Sequence, residues 1–248
     1  GGDFEVDFPY GTDAEWEHAF EGMIRSGMNV MVDLGMWGNW KMPVSYKYMP
    51  QLRSDSPDAI DQASGARFSE IASHRDHGLK LLGYLHERGV KVWNWVPVGC
   101  VPSTYAQAHP DAMSPQNPAV PCFTHPDYRE YLEALFTEML ETYPLDGIVM
   151  IRDDNGGICQ CDRCKAYVSA SRTQSPMWEQ YLILYDYLRA NGFRGAIGVY
   201  PYNDPYRPEL EPLLPEDLLV IGHGSGAGVL SRRFETLGPM GDTWIDNL

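Results

Sequence analysis

Short apolar runs alternate with segments of helical period along this 248-residue chain, and that alternation narrows the fold more than any other feature. Strands separated by helices need crossover connections, and crossovers make neighbouring strands parallel. Seven runs read as strands: Asp3 to Phe8, Met28 to Gly35, Val90 to Val98, Gly147 to Asp153, Ala196 to Tyr200, Leu218 to Gly222 and Asp242 to Asp246.

The helices between them carry local end signals. Thr12 and Glu15 form a capping box before Trp16, Phe20, Met23 and Ile24, and Gly27 stops that helix. A second helical pattern ends at Gly89. A third starts with Pro126 in its first turn, places Tyr128, Leu132, Leu135 and Met139 on one face, and ends before Pro144. Ser175-Pro176 opens a fourth, closed by Gly192, and residues 230–237 are a weaker candidate.

Seven strands alternating with helices predict an α/β fold, a (β/α)8 TIM-like barrel whose eighth strand falls beyond Trp244-Ile245-Asp246. A doubly wound open sheet is the competing architecture. It usually carries a glycine-rich phosphate loop after its first strand, and Pro9-Tyr10-Gly11-Thr12 is not one. Residues 1–248 are read as a single catalytic barrel, part of a longer protein with possible additional domains. The poorly periodic stretch Asn39 to Gly65 is expected to fold over the barrel mouth.

A hydrophobic share of 44% is enough for a sizeable core, and a formal net charge of −15 disfavours nucleic acid and anionic membrane surfaces as partners. No apolar stretch approaches the ~20 residues of a membrane span. The chain begins Gly1-Gly2 without a signal-like segment, which reads as a trimmed terminus; the compartment stays open, with an extracellular or periplasmic one favoured.

In a barrel of this kind catalytic groups sit where strands end, and the fourth predicted strand is the sharpest case. Leu145-Asp146-Gly147-Ile148-Val149-Met150-Ile151-Arg152 runs into Asp153-Asp154-Asn155-Gly156-Gly157, two adjacent carboxylates before a glycine turn. Glycosidic cleavage needs a proton for the leaving oxygen and a stabiliser for an oxocarbenium-like transition state, and two carboxyl groups supply both. Neighbouring strand residues face opposite ways, so Asp153 and Asp154 share a pocket only because the strand ends there. The competing reading makes Asp153 a turn cap and pairs Arg152 with a neighbour.

The stretch His125-Pro126-Asp127-Tyr128-Arg129-Glu130-Tyr131-Leu132 leading to Tyr143-Pro144-Leu145-Asp146-Gly147 resembles a recurring pattern of glycosidase barrels, a helix beginning Pro-x-x-Arg that leads into Asp-Gly and an acid-tipped strand. The adjacent Asp153-Asp154 is similar to the β-N-acetylglucosaminidases that use substrate assistance. That resemblance implies that Asp153 orients the substrate's acetamido group, which attacks the anomeric carbon, and that Asp154 is the general acid and base.

Cys159-Gln160-Cys161-Asp162-Arg163-Cys164 packs three thiols into six residues directly after the acidic strand end, a spacing that suits tetrahedral zinc, with Cys122 chosen as the fourth ligand. Disulfides, including a Cys100 to Cys122 bridge, and free thiols are the alternatives. The arrangement resembles the zinc site of one family of β-galactosidase barrels, where the same Cys-x-Cys-x-x-Cys follows the acid-bearing strand. That family has Asn-Glu where this chain has Asp153-Asp154-Asn155, a departure at the position of the acid. With four protein ligands the zinc is structural, and no organic cofactor is expected.

Other strand ends carry groups that suit sugars: Asp33, Trp37, Trp95, Asn155, Tyr200, Tyr202, Asn203, His223, Trp244 and Asp246. Aromatic faces stack on pyranose rings while carboxylates and amides bind hydroxyls. Trp93 is assigned to core packing, read as out of phase with Trp95. His125 is read as a helix entry, and His74, His77 and His86 as helix residues outside the site.

The favoured function is an exo-acting glycoside hydrolase on an N-acetylhexosaminide or related glycoside. Hydrolysis of uronic-acid or galactoside linkages is the nearest alternative. A non-catalytic, zinc-stapled carbohydrate-binding barrel is the alternative from a different class.

Overall fold

The computed structural model of the protein describes residues 13–27, 29–32, 44–58, 67–152, 157–201 and 207–220. Along them run α1 (Asp13–Arg25), β1 (Val30–Val32), α2 (Ile71–Glu87), β2 (Lys91–Val98), α3 (Ser103–Ala108), β3 (Met113–Ser114), β4 (Asn117–Pro121), α4 (Pro126–Thr142), β5 (Gly147–Arg152), α5 (Asp162–Ala170), α6 (Pro176–Ala190), β6 (Ala196–Tyr200) and β7 (Leu218–Val220). The expected strands at residues 3–8 and 242–246, and the helix at 230–237, lie outside the described residues.

The helix ends follow the local chemistry of the sequence. His125 caps α4, its ring nitrogen accepting from the Asp127 amide at 3.3 Å, and Pro126 fills the first turn, where no amide proton is needed. Ser175 and Pro176 do the same for α6. At the other end, Gly89 (φ +73°) and Gly192 (φ +82°) adopt the left-handed turn that terminates a helix. The amides that follow close back onto it, Val90 to the Leu85 carbonyl and Phe193 to the Leu188 carbonyl, both at 3.0 Å.

Five strands form one parallel sheet in the order β1-β2-β5-β6-β7. The order follows the chain without reversal, so the described sheet has no switch point of the kind that defines a doubly wound fold. Its two faces differ. Val92, Val96, Ile148, Met150, Ile197, Val199 and Leu218 pack into one core with residues of the helices. On the opposite face Trp93, Val149, Ile151 and Tyr200 cluster with Val30, Ala196 and Leu219, strand residues alone among the described residues. Among the described residues, helices cover one face of the sheet and strand side chains line the other, the layering of a β/α barrel wall.

At the amino ends of the strands Asp146 ties three elements together. Its carboxylate accepts from the Val92 amide and pairs with His86 Nε2 of α2, both at 2.9 Å, while its carbonyl accepts from the Ala196 amide at 2.8 Å. This end of a barrel serves stability; His86 reaches it from the last turn of α2, while His74 and His77 lie in the first two turns of that helix.

Three expectations need correction. Positions 93 and 95 stand two residues apart in β2, and strand positions repeat with period two, so Trp93 cannot be set apart as out of phase; Trp93 is nevertheless a buried core residue. The connection after β1 does not fold over the mouth where it is described: Val44, Tyr46, Met49 and Leu52 bury into the helix-side core, and Glu138 of α4 holds Ser45 Oγ at 2.6 Å and the Lys47 amide at 2.7 Å. Finally, α3, α5 and the β3–β4 hairpin were not foreseen as elements; they are short, and the prolines at 115, 118 and 121 hide the strand alternation. None of the described helices is long and apolar enough to cross a membrane.

Candidate functional site

The adjacent strands β2 and β5 are in register to their carboxyl ends, where Val98 pairs with Arg152. The connection leaving β2 runs through α3 and the β3–β4 hairpin to Cys122. The connection leaving β5 carries Asp153 to Gly156, which lie outside the described residues, and then Cys159, Cys161 and Cys164. Described chain resumes at Gly157 against β4, where an added Cβ would sit 3.4 Å from a Val120 methyl.

There the two connections meet at sulfur. The Sγ atoms of Cys122, Cys159, Cys161 and Cys164 all lie within 4.8 Å of one another, with Cys122 at 3.7 Å from Cys161 and 3.3 Å from Cys164. Cys161 caps the amino end of α5, so one tight turn aims Cys159, Cys161 and Cys164 at the same point. None of the five cysteines is joined in a disulfide, and Cys100 stands apart from the cluster. Tetrahedral zinc with bonds of about 2.3 Å sets its sulfurs about 3.8 Å apart, so the spacing here fits a metal far better than a disulfide of about 2.05 Å.

Polar groups surround the sulfurs. Thr124 Oγ1 lies 3.2 Å from Cys164 and 3.5 Å from Cys122, and the Arg163 guanidinium donates to Cys122 at 3.3 Å. Burial pushes the Cys122 thiol up, but hydrogen bonds from Thr124, Arg163, Cys164 and Cys161 outweigh it and bring it to about 6. Burial keeps Cys159 and Cys164 above the ordinary thiol range. An open cleft of about 610 Å3 borders the cluster, with Asp111, Met113, Pro118, Cys122, Cys161 and Arg163 among its lining residues.

Of the residues expected to meet sugar, Tyr200 ends β6 on the inner face of the sheet beside Ile151, buried, with its carbonyl accepting from the Tyr181 hydroxyl at 3.3 Å. The backbone of Trp95 pairs with Val149 in the middle of β2–β5. Asp33, Trp37, Asp153, Asp154, Asn155, Tyr202, Asn203, His223, Trp244 and Asp246 lie outside the described residues. Thr124 and Arg163 were missed by sequence reasoning. Arg163 had a signal, since it sits between two of the cysteines; Thr124, from the other connection, had none beyond its nearness to Cys122.

No protein-family model matches the chain, and no curated protein matches it. Among solved structures, a chitobiase from Flavobacterium johnsoniae is similar with a TM-score of 0.57 at 14% identity, over 86% of this chain and 32% of that one. A β-N-acetylhexosaminidase from Bacteroides fragilis gives 0.55 at 16% identity, over 86% and 43%, and dispersin B gives 0.56 at 10%, over 91% and 64%. The chain therefore spans less than two thirds of the length of each of these structures. At such identities the likeness is one of architecture: this chain has the α/β fold, built on a parallel sheet, of the β-N-acetylhexosaminidase barrels.

Proposed function

We propose that the chain is the catalytic barrel domain of a glycoside hydrolase that acts from chain ends on N-acetylhexosaminides. The observation that carries this reading is the location of Asp153-Asp154, which follow Arg152 at the carboxyl end of a central strand in a fold shared with β-N-acetylhexosaminidases. In this reading Asp154 protonates the glycosidic oxygen while Asp153 holds the acetamido group so that its oxygen attacks the anomeric carbon. Asp154 then takes a proton from the incoming water, and two displacements give net retention. Tyr200, together with Trp95 within β2 and the aromatics expected at the other strand ends, would provide the stacking surface.

The four-cysteine cluster would hold a structural zinc ion. Four thiolates leave no open coordination position, so the ion would staple the hairpin to the connection that follows the acidic turn and would take no part in the chemistry. What supports the assignment is the convergence of four sulfurs from two separate connections within 4.8 Å.

The experiment is a comparison of aryl N-acetylhexosaminides with the corresponding plain hexosides, with product stereochemistry followed by NMR. Faster cleavage of the N-acetylated series with retention is the expected result. Equal turnover would remove the acetamido group from the mechanism, and saturable sugar binding without turnover would favour the carbohydrate-binding barrel.

A further inference from the structure

Four thiolates around a divalent cation leave a net charge of 2−, in a chain that already carries −15. Such a site gains from a nearby positive charge that can reach sulfur directly, because hydrogen bonds to the ligands and local counter-charge tune metal affinity. Among the described residues, Arg163 is the cation seen to donate to a cysteine sulfur, 3.3 Å from Cys122. Its position in the chain makes this contact possible: it is the second residue of α5, between Cys161 and Cys164, with the first helical turn carrying both the ligands and the guanidinium.

We propose that Arg163 is a positioning residue of the metal site, supplying the counter-charge that holds Cys122, the one ligand from the β2 connection, against the three from the β5 connection. The inference rests on the zinc reading above. Cys159, Cys161 and Cys164 are brought together by their own turn, whereas Cys122 comes from a segment 37 positions earlier in the sequence and needs an interaction across the joint. Thr124 bridges Cys122 and Cys164 from the same side as Cys122. Arg163 bridges in the opposite direction, from the cysteine-rich turn to Cys122. Arg163 also lines the open cleft together with Cys122 and Cys161.

The test is zinc affinity, measured on the full chain by competition with a chromophoric chelator and checked by the thiolate-to-cobalt absorption of the Co2+ form. Arg163→Gln keeps a hydrogen-bond donor and removes the charge, Arg163→Lys keeps the charge, and Lys165→Gln removes the same charge from an exposed position of the same helix. Arg163→Gln should weaken zinc about 10-fold, while Arg163→Lys and Lys165→Gln should stay within about threefold of the parent on the same scale. Unchanged affinity in Arg163→Gln, or an equal loss in Lys165→Gln, overturns the proposal while leaving the zinc reading intact. A parent chain that binds neither Zn2+ nor Co2+ at the cysteines overturns both.

Discussion

The indole of Trp93 in β2 lies over Gly147, its neighbour in β5, so closely that a Cβ at position 147 would stand 2.6 Å from the ring. On the inner face of the sheet, the glycine of the Asp146-Gly147 pair is thus the space that the tryptophan fills. Gly147→Ala should cost about 1–3 kcal/mol through overpacking. Urea unfolding of the single variant and of the same change in a Trp93→Leu background would measure it; the expected outcome is a smaller cost in the second background, since the clash partner is gone.

Glu138 offers a second stability test. Its buried carboxylate accepts from Ser45 Oγ and the Lys47 amide, fastening the connection after β1 to α4. Glu138→Ala should leave those donors unpaired at a cost of about 1–3 kcal/mol. Hydrogen exchange should show loss of protection concentrated at residues 44–49, with the sheet unaffected.

Asp217 predicts an acid-side effect. Burial pushes its carboxyl up, but the Tyr185 hydroxyl and the Arg189 guanidinium, whose two nitrogens donate at 2.7 and 3.1 Å, outweigh burial and hold it below the usual carboxylate range. A carboxyl whose value is lower folded than unfolded adds stability that is fully present above the unfolded value of about 3.9 and disappears as pH falls through the folded one. Because the side chain is 57% exposed, solvent screening keeps the contribution modest, on the order of 0.2–1 kcal/mol. The stability gap between parent and Asp217→Asn, measured by urea titration, should be constant from pH 7 to about 5 and close below about pH 4.

Metal content gives the fourth. Protein purified without chelator should contain about one zinc per chain, and chelation or Cys122→Ser should lower the thermal midpoint. Cys100→Ser should leave metal content unchanged, because Cys100 is outside the cluster.

The carboxylates separate by leaving group. Asp154→Asn should lower turnover by about 10²–10⁴ on substrates with poor leaving groups and much less on activated aryl glycosides, since only the former depend on the proton. Asp153→Asn should impair both alike by disturbing the acetamido group. Equal sensitivity of the two variants to leaving group would contradict the division of labour between them.

The helix ends were legible in the sequence because capping is chemistry among residues a few positions apart. His125-Pro126, Ser175-Pro176, Gly89 and Gly192 stand where the helices start and stop. The strands β2, β5 and β6 were legible for the same reason, as apolar runs of fixed length, and so was the convergence of Cys159, Cys161 and Cys164 within one turn. Tertiary structure decided what depends on two distant segments meeting. The register of β2 against β5 puts Trp93 on Gly147. The run of two connections off the same end of the sheet brings Cys122 to the other thiols and Arg163 to Cys122, and a buried carboxylate draws the connection after β1 onto α4. Periodicity and spacing record the local preferences of the backbone, but a contact between segments exists only once the sheet has set their distance and direction.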